Sequence, residues 1–276
     1  MAFGSSDTPI RYGSYLKVPE LISLQQPFTD EHDELQFIVL HQVYELWFRL
    51  ILHELDAADV LLQTGADESI REATRLLHRV ARIQDVLLSH LPVMETMRPG
   101  DFLRFRERLK PASGFQSAQF RELEFLCGLK SQALLDRCDA DEASMARLRK
   151  RFAAPTLRER FASVASRRGF PMTVADEGSP EHAASVGAIV ELYKNPARDT
   201  TLYELAEALL DIDERLALWR SRHYWMVERV IGGTIGTGYA ATGAGYEGIR
   251  YLSQTLFKKA FPELWSVRGR LGGAPA

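Results

Sequence analysis

The sequence predicts an all-α fold, a single helical bundle, and three observations lead to this prediction. Apolar residues recur every three to four positions along most of the 276 residues, which is the period of an α-helix. Alternation of apolar and polar residues, the signal of a strand, never extends beyond four residues. Residues that typically begin or end helices stand at the edges of the periodic segments.

These edge residues set the expected helix boundaries. Pro19 suits a first helical turn, Gly65 is a typical stop, Asp67 is a candidate N-cap, and Pro92 should kink the helix that contains it. The expected helices are, in chain order, a short one near Pro19, then 33–62, 67–97, 101–109, 116–128, 141–152, 156–166, 180–194, 200–231 and 248–259, with a loop at 167–181.

We expect one domain over residues 1–276, in which residues 130–195 are a helical insertion. The length suits one large domain or two small ones, and no internal repeat or low-complexity tract divides it. The composition, 46% hydrophobic and 26% charged, is that of an ordinary globular chain with a sizeable core.

Several classes of protein are excluded at this point. A net charge of −3 gives no electrostatic reason to expect nucleic acid or an anionic membrane. The most apolar stretch, 37–62, is interrupted by charged residues, so no transmembrane span is predicted, and residues 1–11 lack the pattern of a signal peptide. The only cysteines, Cys127 and Cys138, form neither a disulfide framework nor a Cys-x-x-Cys pair. The expected location is the cytoplasm.

The glycine-rich stretch at 232–248 contains seven glycines. Gly236-x-Gly238-x-x-Ala241 superficially matches a dinucleotide-binding fingerprint, but it follows a helix instead of a strand, so that function is not predicted. The stretch is either a flexible connector or a piece of backbone brought close to a ligand, lined by the hydroxyls of Thr234, Thr237 and Thr242.

His223 interrupts an apolar helical stripe. At about 100° per residue, its neighbours on that stripe include Leu216, Trp219 and Val227. A histidine in such a place needs a partner, because burying an unpaired polar group costs about 1–3 kcal/mol. The partner is either a backbone carbonyl or a ligand.

His41 has similar surroundings, with Phe37, Phe48, Leu52 and Leu55 within about 40° of it around the helix. Two such imidazoles, far apart in sequence, suggest an aromatic pocket that holds haem b with one histidine on each face. Covalent attachment is excluded because Cys-x-x-Cys-His is absent.

Other metal centres fit the sequence less well. Neither His-Glu-x-x-His nor Glu-x-x-His occurs, which argues against a zinc protease and a di-iron bundle. A non-haem iron triad would have to use His32 and Glu34, a short match that is common by chance. The other histidines, at 53, 78, 90 and 182, are expected at the surface with His32.

Five segments, in order, resemble the tryptophan 2,3-dioxygenase family. They are Tyr12-Gly-Ser-Tyr15-Leu16, Phe37-Ile-Val-Leu-His41-Gln-Val-Tyr-Glu-Leu-Trp47, Ser113-Gly-Phe-Gln-Ser117 running on to Phe120-Arg121, Trp219-Arg-Ser-Arg-His223, and Phe261-Pro-Glu-Leu-Trp265. The resemblance covers nearly the whole chain, with residues 130–195 matching only loosely. It implies the fold of the indoleamine and tryptophan dioxygenases, with haem bound non-covalently between long helices.

The resemblance also implies roles for individual residues. His223 would be the proximal iron ligand, His41 the distal histidine facing the indole nitrogen, and Phe37 a surface for the indole ring. Arg121 would bind the substrate carboxylate, for which a planar guanidinium is well suited.

In the family, residues equivalent to Tyr12, Tyr15 and Leu16 close the active site of a neighbouring subunit, which implies a homotetramer in which residues 1–30 reach across. A threonine of the glycine-rich loop binds the charged end of the amino acid. Thr237 has the expected spacing from His223, but this loop departs from the family pattern and is longer, so Thr242 is an alternative.

The implied reaction uses O₂ as co-substrate and inserts both of its atoms into the indole C2–C3 bond of L-tryptophan, giving N-formylkynurenine. Two alternatives remain open. One is a monooxygenase of tryptophan or a substituted tryptophan in specialised metabolism, with the altered loop holding the substrate. The other is a non-catalytic sensor of haem or tryptophan, which would use the same pocket without chemistry.

Overall fold

The structure, a computed structural model, describes residues 10–232 and 252–272. The predicted all-α class is confirmed, since these residues form helices and loops and no strand. The α-helices are α1 (Tyr12–Tyr15), α2 (Val18–Ile22), α3 (His32–Thr64), α4 (Asp67–Met94), α5 (Pro99–Arg106), α6 (Ala118–Cys127), α7 (Gln132–Arg137), α8 (Glu142–Ala153), α9 (Leu157–Arg167), α10 (Pro180–Lys194), α11 (Thr200–Ile231) and α12 (Pro262–Leu271), with 3₁₀ turns at Glu107–Leu109, Gly114–Gln116 and Pro196–Arg198.

Three long helices form the centre of the molecule. Helix α4 packs along both α3 and α11, while α6 and α9 cover other parts of α3. Each long helix contributes fully buried aliphatic side chains, such as Leu55, Leu77 and Leu209. The core therefore supports the helices that carry His41 and His223.

Helix α3 ends as the sequence predicts. Gly65 adopts a left-handed conformation with φ of 70°, which glycine enters without steric penalty. The guanidinium of Arg167 donates to the carbonyls of Leu62 and Gln63 at 3.1 and 2.9 Å, satisfying acceptors left free at the helix end. This turn lets α4 return along α3.

The boundaries of α4 differ from the prediction. Asp67 is the first helical residue and not the N-cap, a position held by Ala66, and its carboxylate instead accepts from Arg168 at 2.7 Å. The helix ends at Met94, two residues beyond Pro92, and does not continue to Met97. Pro92 lies inside the helix and has no N–H to donate to the carbonyl one turn earlier. The helix ends where the N–H of Glu95 donates to the carbonyl of Leu91 at 3.2 Å.

Helix α12 was not predicted, and it overturns the expectation that His182 lies at the surface. His182 is buried because α10 packs against α12, and its Nε2 lies 3.3 Å from the hydroxyl of Ser266. The prediction failed because a short helix beginning at Pro262 was not recognised. His53 and His78 are exposed, as predicted.

Residues 130–195 divide into two parts by their packing. Leu134 and Cys138 around α7 and Leu148 of α8 form a small cluster with Phe125. Helices α9 and α10 belong to the main core instead, through residues such as Phe161 and Ile189. The helical insertion at 130–195 therefore stays a prediction, and within that range only α7 and α8 pack into the separate small cluster.

One helix among the described residues, α3, is long and apolar enough to cross a membrane, with a mean hydropathy of 1.2 over its most apolar window. Length and composition alone are weak evidence, since the core helix of a globular protein passes the same test. Here α3 carries Glu54 and packs against α4, α6 and α9.

Candidate active site

A cavity of about 310 Å³ opens between α3, α5, α6 and α11. Its volume is in the range of small-molecule pockets. Most of its lining is apolar or aromatic, and the polar groups are few. The lining includes Phe37, His41, Phe48, Phe102, Arg106, Phe115, Phe120, Arg121, Glu124, Trp219, Arg220, His223, Met226, Val230, Leu252 and Thr255.

The cavity brings together four residues that the sequence singled out, namely Phe37, His41, Arg121 and His223. The three N-terminal candidates are elsewhere: the side chains of Tyr12, Tyr15 and Leu16 are 78%, 72% and 45% exposed and do not line it. Thr237 and Thr242 lie outside the described residues.

One ring nitrogen of His41 is engaged in a hydrogen bond with the backbone. Its Nδ1 lies 2.7 Å from the carbonyl oxygen of Phe37, one helical turn earlier, so Nδ1 carries the hydrogen and donates it. The ring is accessible from the cavity, and desolvation by the surrounding protein lowers its pKa. Nε2 is therefore an acceptor aimed away from the helix backbone.

His223 presents the opposite case. Its Nδ1 is buried, and no carbonyl among the described residues accepts from it. Its ring stacks on Trp219, with centroids 4.8 Å apart and planes 7° apart. Burial, reinforced by His41 and Arg121, lowers its pKa to about 4, which keeps the imidazole neutral and able to bind a metal.

Arg121 belongs to a buried ionic group on the same wall. Its Nη1 lies 2.7 Å from Oε2 of Glu124, and Arg220 approaches the other oxygen of Glu124 at 3.5 Å. All three side chains are at most 6% exposed. One carboxylate between two guanidiniums leaves this wall with an excess of positive charge.

Helix α11 also fixes the chain that follows the glycine-rich stretch. Arg220 donates to the carbonyl of Lys258 at 3.0 Å. The buried carboxylate of Asp213 accepts from the backbone N–H groups of Ala260 and Phe261 and from Nε1 of Trp265, at 2.9–3.0 Å. One helix therefore positions both His223 and the segment that returns to the cavity at Thr255.

Sequence reasoning missed Glu124, Arg220 and Arg106 because charged residues are usually at the surface. A signal was available for Arg106, which stands four residues after Phe102 and so shares its apolar face. Glu124 stands one turn after Arg121, which places the two on one face.

The residues fit a porphyrin better than a bare metal ion. Among residues 10–232 and 252–272, no group of three or more His, Cys, Asp or Glu side chains could hold a metal, so the pairing of His32 with Glu34 gains no support. The oxygens of Glu34 instead accept from the backbone of Phe28 and Thr29 at 2.8 Å. A neutral imidazole that lines an aromatic cavity is what haem requires of a protein.

Comparison with known proteins agrees with the sequence resemblance. The family model for tryptophan 2,3-dioxygenase matches residues 3–155 and 137–271. The tryptophan 2,3-dioxygenases of Caulobacter vibrioides and a Nocardioides species are 42% and 43% identical to this chain, over 94% and 98% of it and 98% of each relative. That of Bacillus thuringiensis subsp. konkukian is 38% identical over 94% of this chain and 92% of the relative.

Proposed function

Because the chain belongs to the tryptophan 2,3-dioxygenase family, we propose that it inserts both atoms of O₂ across the indole C2–C3 bond of L-tryptophan and forms N-formylkynurenine. The observation that carries the proposal is a single aromatic cavity reached by an imidazole from α3, another from α11 and a buried guanidinium from α6. A carboxylate-bearing aromatic substrate matches this combination.

His223 is the residue proposed to hold haem b. Its neutral imidazole, its place in the cavity lining and its position on a long helix suit an axial ligand. When bound, haem supplies the O₂ chemistry, while the protein orients the substrate and excludes water.

His41 and Phe37 are proposed to orient the indole. With Nδ1 donating to Phe37, the free Nε2 of His41 accepts from a substrate N–H without a change of tautomer. The ring of Phe37 is held from behind by Phe102 and Phe105, each with its centroid 5.7 Å away. A rigid aromatic surface of this kind favours ring stacking.

Arg121 is proposed to bind the substrate carboxylate. Glu124 fixes its guanidinium in the cavity wall, and Arg220 contributes a second positive charge nearby. The resulting excess of positive charge stabilises an incoming carboxylate in surroundings where water screens little. A hydroxyl of the glycine-rich loop, from Thr237 or Thr242, is proposed to bind the ammonium group.

The active form is proposed to be a homotetramer in the cytoplasm. Tyr12, Tyr15 and Leu16 are exposed, which suits side chains that close the cavity of a neighbouring subunit. The outer face of α3 exposes Leu35, Val39 and Leu46 by 48%, 41% and 54%, and an exposed apolar stripe of this kind favours contact with a second copy.

The reaction is tested by mass spectrometry. Protein reconstituted with hemin and reduced is given L-tryptophan and isotopically labelled O₂, with the hemin-free protein as control. Two labelled atoms in the product support dioxygenation, whereas one atom indicates the alternative, monooxygenation. Binding of tryptophan without any product indicates a sensor and contradicts the proposal.

A further inference from the structure

Asp213 is a buried carboxylate of α11 that does not line the cavity. Its Oδ1 accepts from the backbone N–H of Ala260 at 3.0 Å, and its Oδ2 accepts from that of Phe261 and from Nε1 of Trp265 at 3.0 and 2.9 Å. Burying a charge is unfavourable unless such bonds compensate for it, and an apolar side chain would pack two elements together at a lower cost in free energy. The carboxylate therefore indicates that the position of the donors matters.

These donors stand at the beginning of α12. The helix starts at Pro262, and its N-cap is Phe261, whose apolar side chain cannot accept a hydrogen bond from the first turn. The N-terminal end of a helix carries a partial positive charge, which a carboxylate stabilises. A carboxylate also accepts with both oxygens, whereas the amide of Asp213→Asn would turn an NH₂ group toward one of the donors.

The segment that Asp213 binds leads back to the cavity. Leu252 and Thr255 line the cavity a few residues earlier in the chain, and the hydroxyl of Thr255 donates to the carbonyl of Leu252 at 2.8 Å. Arg220, two helical turns after Asp213 on the same face of α11, donates to the carbonyl of Lys258 at 3.0 Å. One face of α11 therefore holds this segment at two points.

We propose that Asp213 is a positioning residue for recognition of the substrate ammonium group, acting through the cavity wall at Leu252 and Thr255. The proposal rests on the proposed function, in which Arg121 of α6 binds the carboxylate and a hydroxyl of the glycine-rich loop binds the ammonium group. The described residues on either side of that loop, Ile231 and Leu252, both line the cavity. A displacement of Leu252 would therefore shift the ammonium contact relative to Arg121.

Helix α12 has other attachments, so the effect of removing the carboxylate is local. It packs against α10, and the buried carboxylate of Glu263 accepts from Nε of Arg158 in α9 at 3.1 Å. Asp213→Asn should therefore loosen the segment from α11 without unfolding α12. Trp265→Phe is the milder variant, because it removes one donor, keeps an aromatic ring in place and leaves the backbone bonds of Asp213.

The test compares two ligands on hemin-loaded protein. It measures the dissociation constants of L-tryptophan and of indole-3-propionate, which has the indole and the carboxylate but no ammonium group. We expect Asp213→Asn to reduce the preference for L-tryptophan by about tenfold and Trp265→Phe to reduce it by about threefold. Asp213→Glu, which keeps a carboxylate, should retain part of the preference. Hemin binding, followed by the Soret band, should be unchanged in all three variants.

Two controls separate positioning from a general loss of stability. Glu214→Gln removes the neighbouring exposed carboxylate and should match the wild type. Leu148→Ala removes a fully buried side chain of the small cluster around α7 and α8, so it should lower the urea midpoint and leave the ligand preference unchanged.

A wild-type preference in Asp213→Asn, or an equal loss of preference in Leu148→Ala, would overturn the proposal. If Asp213→Asn does not fold, Trp265→Phe is judged by the same criteria. Loss of hemin binding in Trp265→Phe would also overturn the proposal, because the bonds of Asp213 would then support α11 as a whole. Failure of the wild type to bind hemin or L-tryptophan would instead refute the proposed function.

Discussion

Helices α3 and α11 each present one histidine to the same cavity, and the two histidines differ in how they are satisfied. His41 donates from Nδ1 to the carbonyl of Phe37, whereas Nδ1 of His223 has no partner among the described residues. The first arrangement fixes a tautomer and directs the other nitrogen as an acceptor. The second leaves a neutral imidazole whose Nδ1 has no partner within residues 10–232 and 252–272.

The two helices otherwise use the same local design. In each, an aromatic residue four positions earlier packs against the histidine: Phe37 at 4.1 Å from His41, and Trp219 at 4.8 Å from His223. Residues at this spacing lie one above the other on a helix, so the aromatic ring restricts the imidazole. The difference in their proposed roles therefore rests on one hydrogen bond and not on different scaffolding.

The largest effect should come from His223→Ala. Removing the only side chain assigned to the iron should weaken hemin binding by more than about a hundredfold, a larger loss than is typical for changes around a metal ligand. The measurement is a Soret titration of the haem-free protein.

The same substitution on the other helix is the control. His41→Ala should bind hemin as the wild type does, because His41 is assigned to the substrate. Equal loss of hemin binding in the two variants would show that both histidines hold haem and would remove the distinction between α3 and α11.

The sequence predicted the limits of α10 and α11 well because the residues at their ends are strong start and stop signals. Helix α11 was predicted with its observed limits, since Asp199 caps its first turn and glycine follows Ile231. Helix α10 likewise begins at a proline after a capping serine, Ser179. Local hydrogen bonds near the helix ends are readable from sequence because the partners are neighbours in the chain.

The parts of the site that the sequence did not predict depend on contacts between residues far apart in the chain. Nothing near Asp213 in the sequence shows that its carboxylate accepts from Trp265, 52 residues later. Likewise, the ionic group of Arg121, Glu124 and Arg220 forms only when α6 meets α11. The unrecognised α12 shows the same limit, and its omission led to the wrong placement of His182.

A smaller effect is expected for catalysis by His41→Ala. Losing one hydrogen bond to the indole N–H should lower kcat/KM for L-tryptophan by about tenfold. The matched probe is 1-methyltryptophan, which has no indole N–H to donate. The wild type should prefer tryptophan over this analogue, and His41→Ala should show much less preference. An unchanged preference would mean that Nε2 of His41 does not accept from the substrate.

The smallest expected effect is on how the free energy of unfolding of the haem-free protein changes with pH. The folded pKa of His223 is about 4, below its ordinary value of 6.5, so the unfolded state binds the proton first as the pH falls. Stability of the haem-free protein should therefore decrease between pH 6.5 and 5.5, by about 1 kcal/mol from this residue. Carboxylates contribute little in this window because they titrate at lower pH.

Urea unfolding at the two pH values isolates the contribution, with His223→Gln as the non-titrating comparison. The variant should lose about 1 kcal/mol less than the wild type over this pH unit. The pKa of His41 is also lowered by burial, so His41→Gln should reduce the pH dependence in the same direction. A wild type and His223→Gln with the same slope would show that the pKa of His223 is the same in the folded and unfolded states, as for a solvated imidazole. That result would remove the electrostatic reason for assigning His223 as the iron ligand. The distinction between α3 and α11 would then depend on the hydrogen bond of His41 alone.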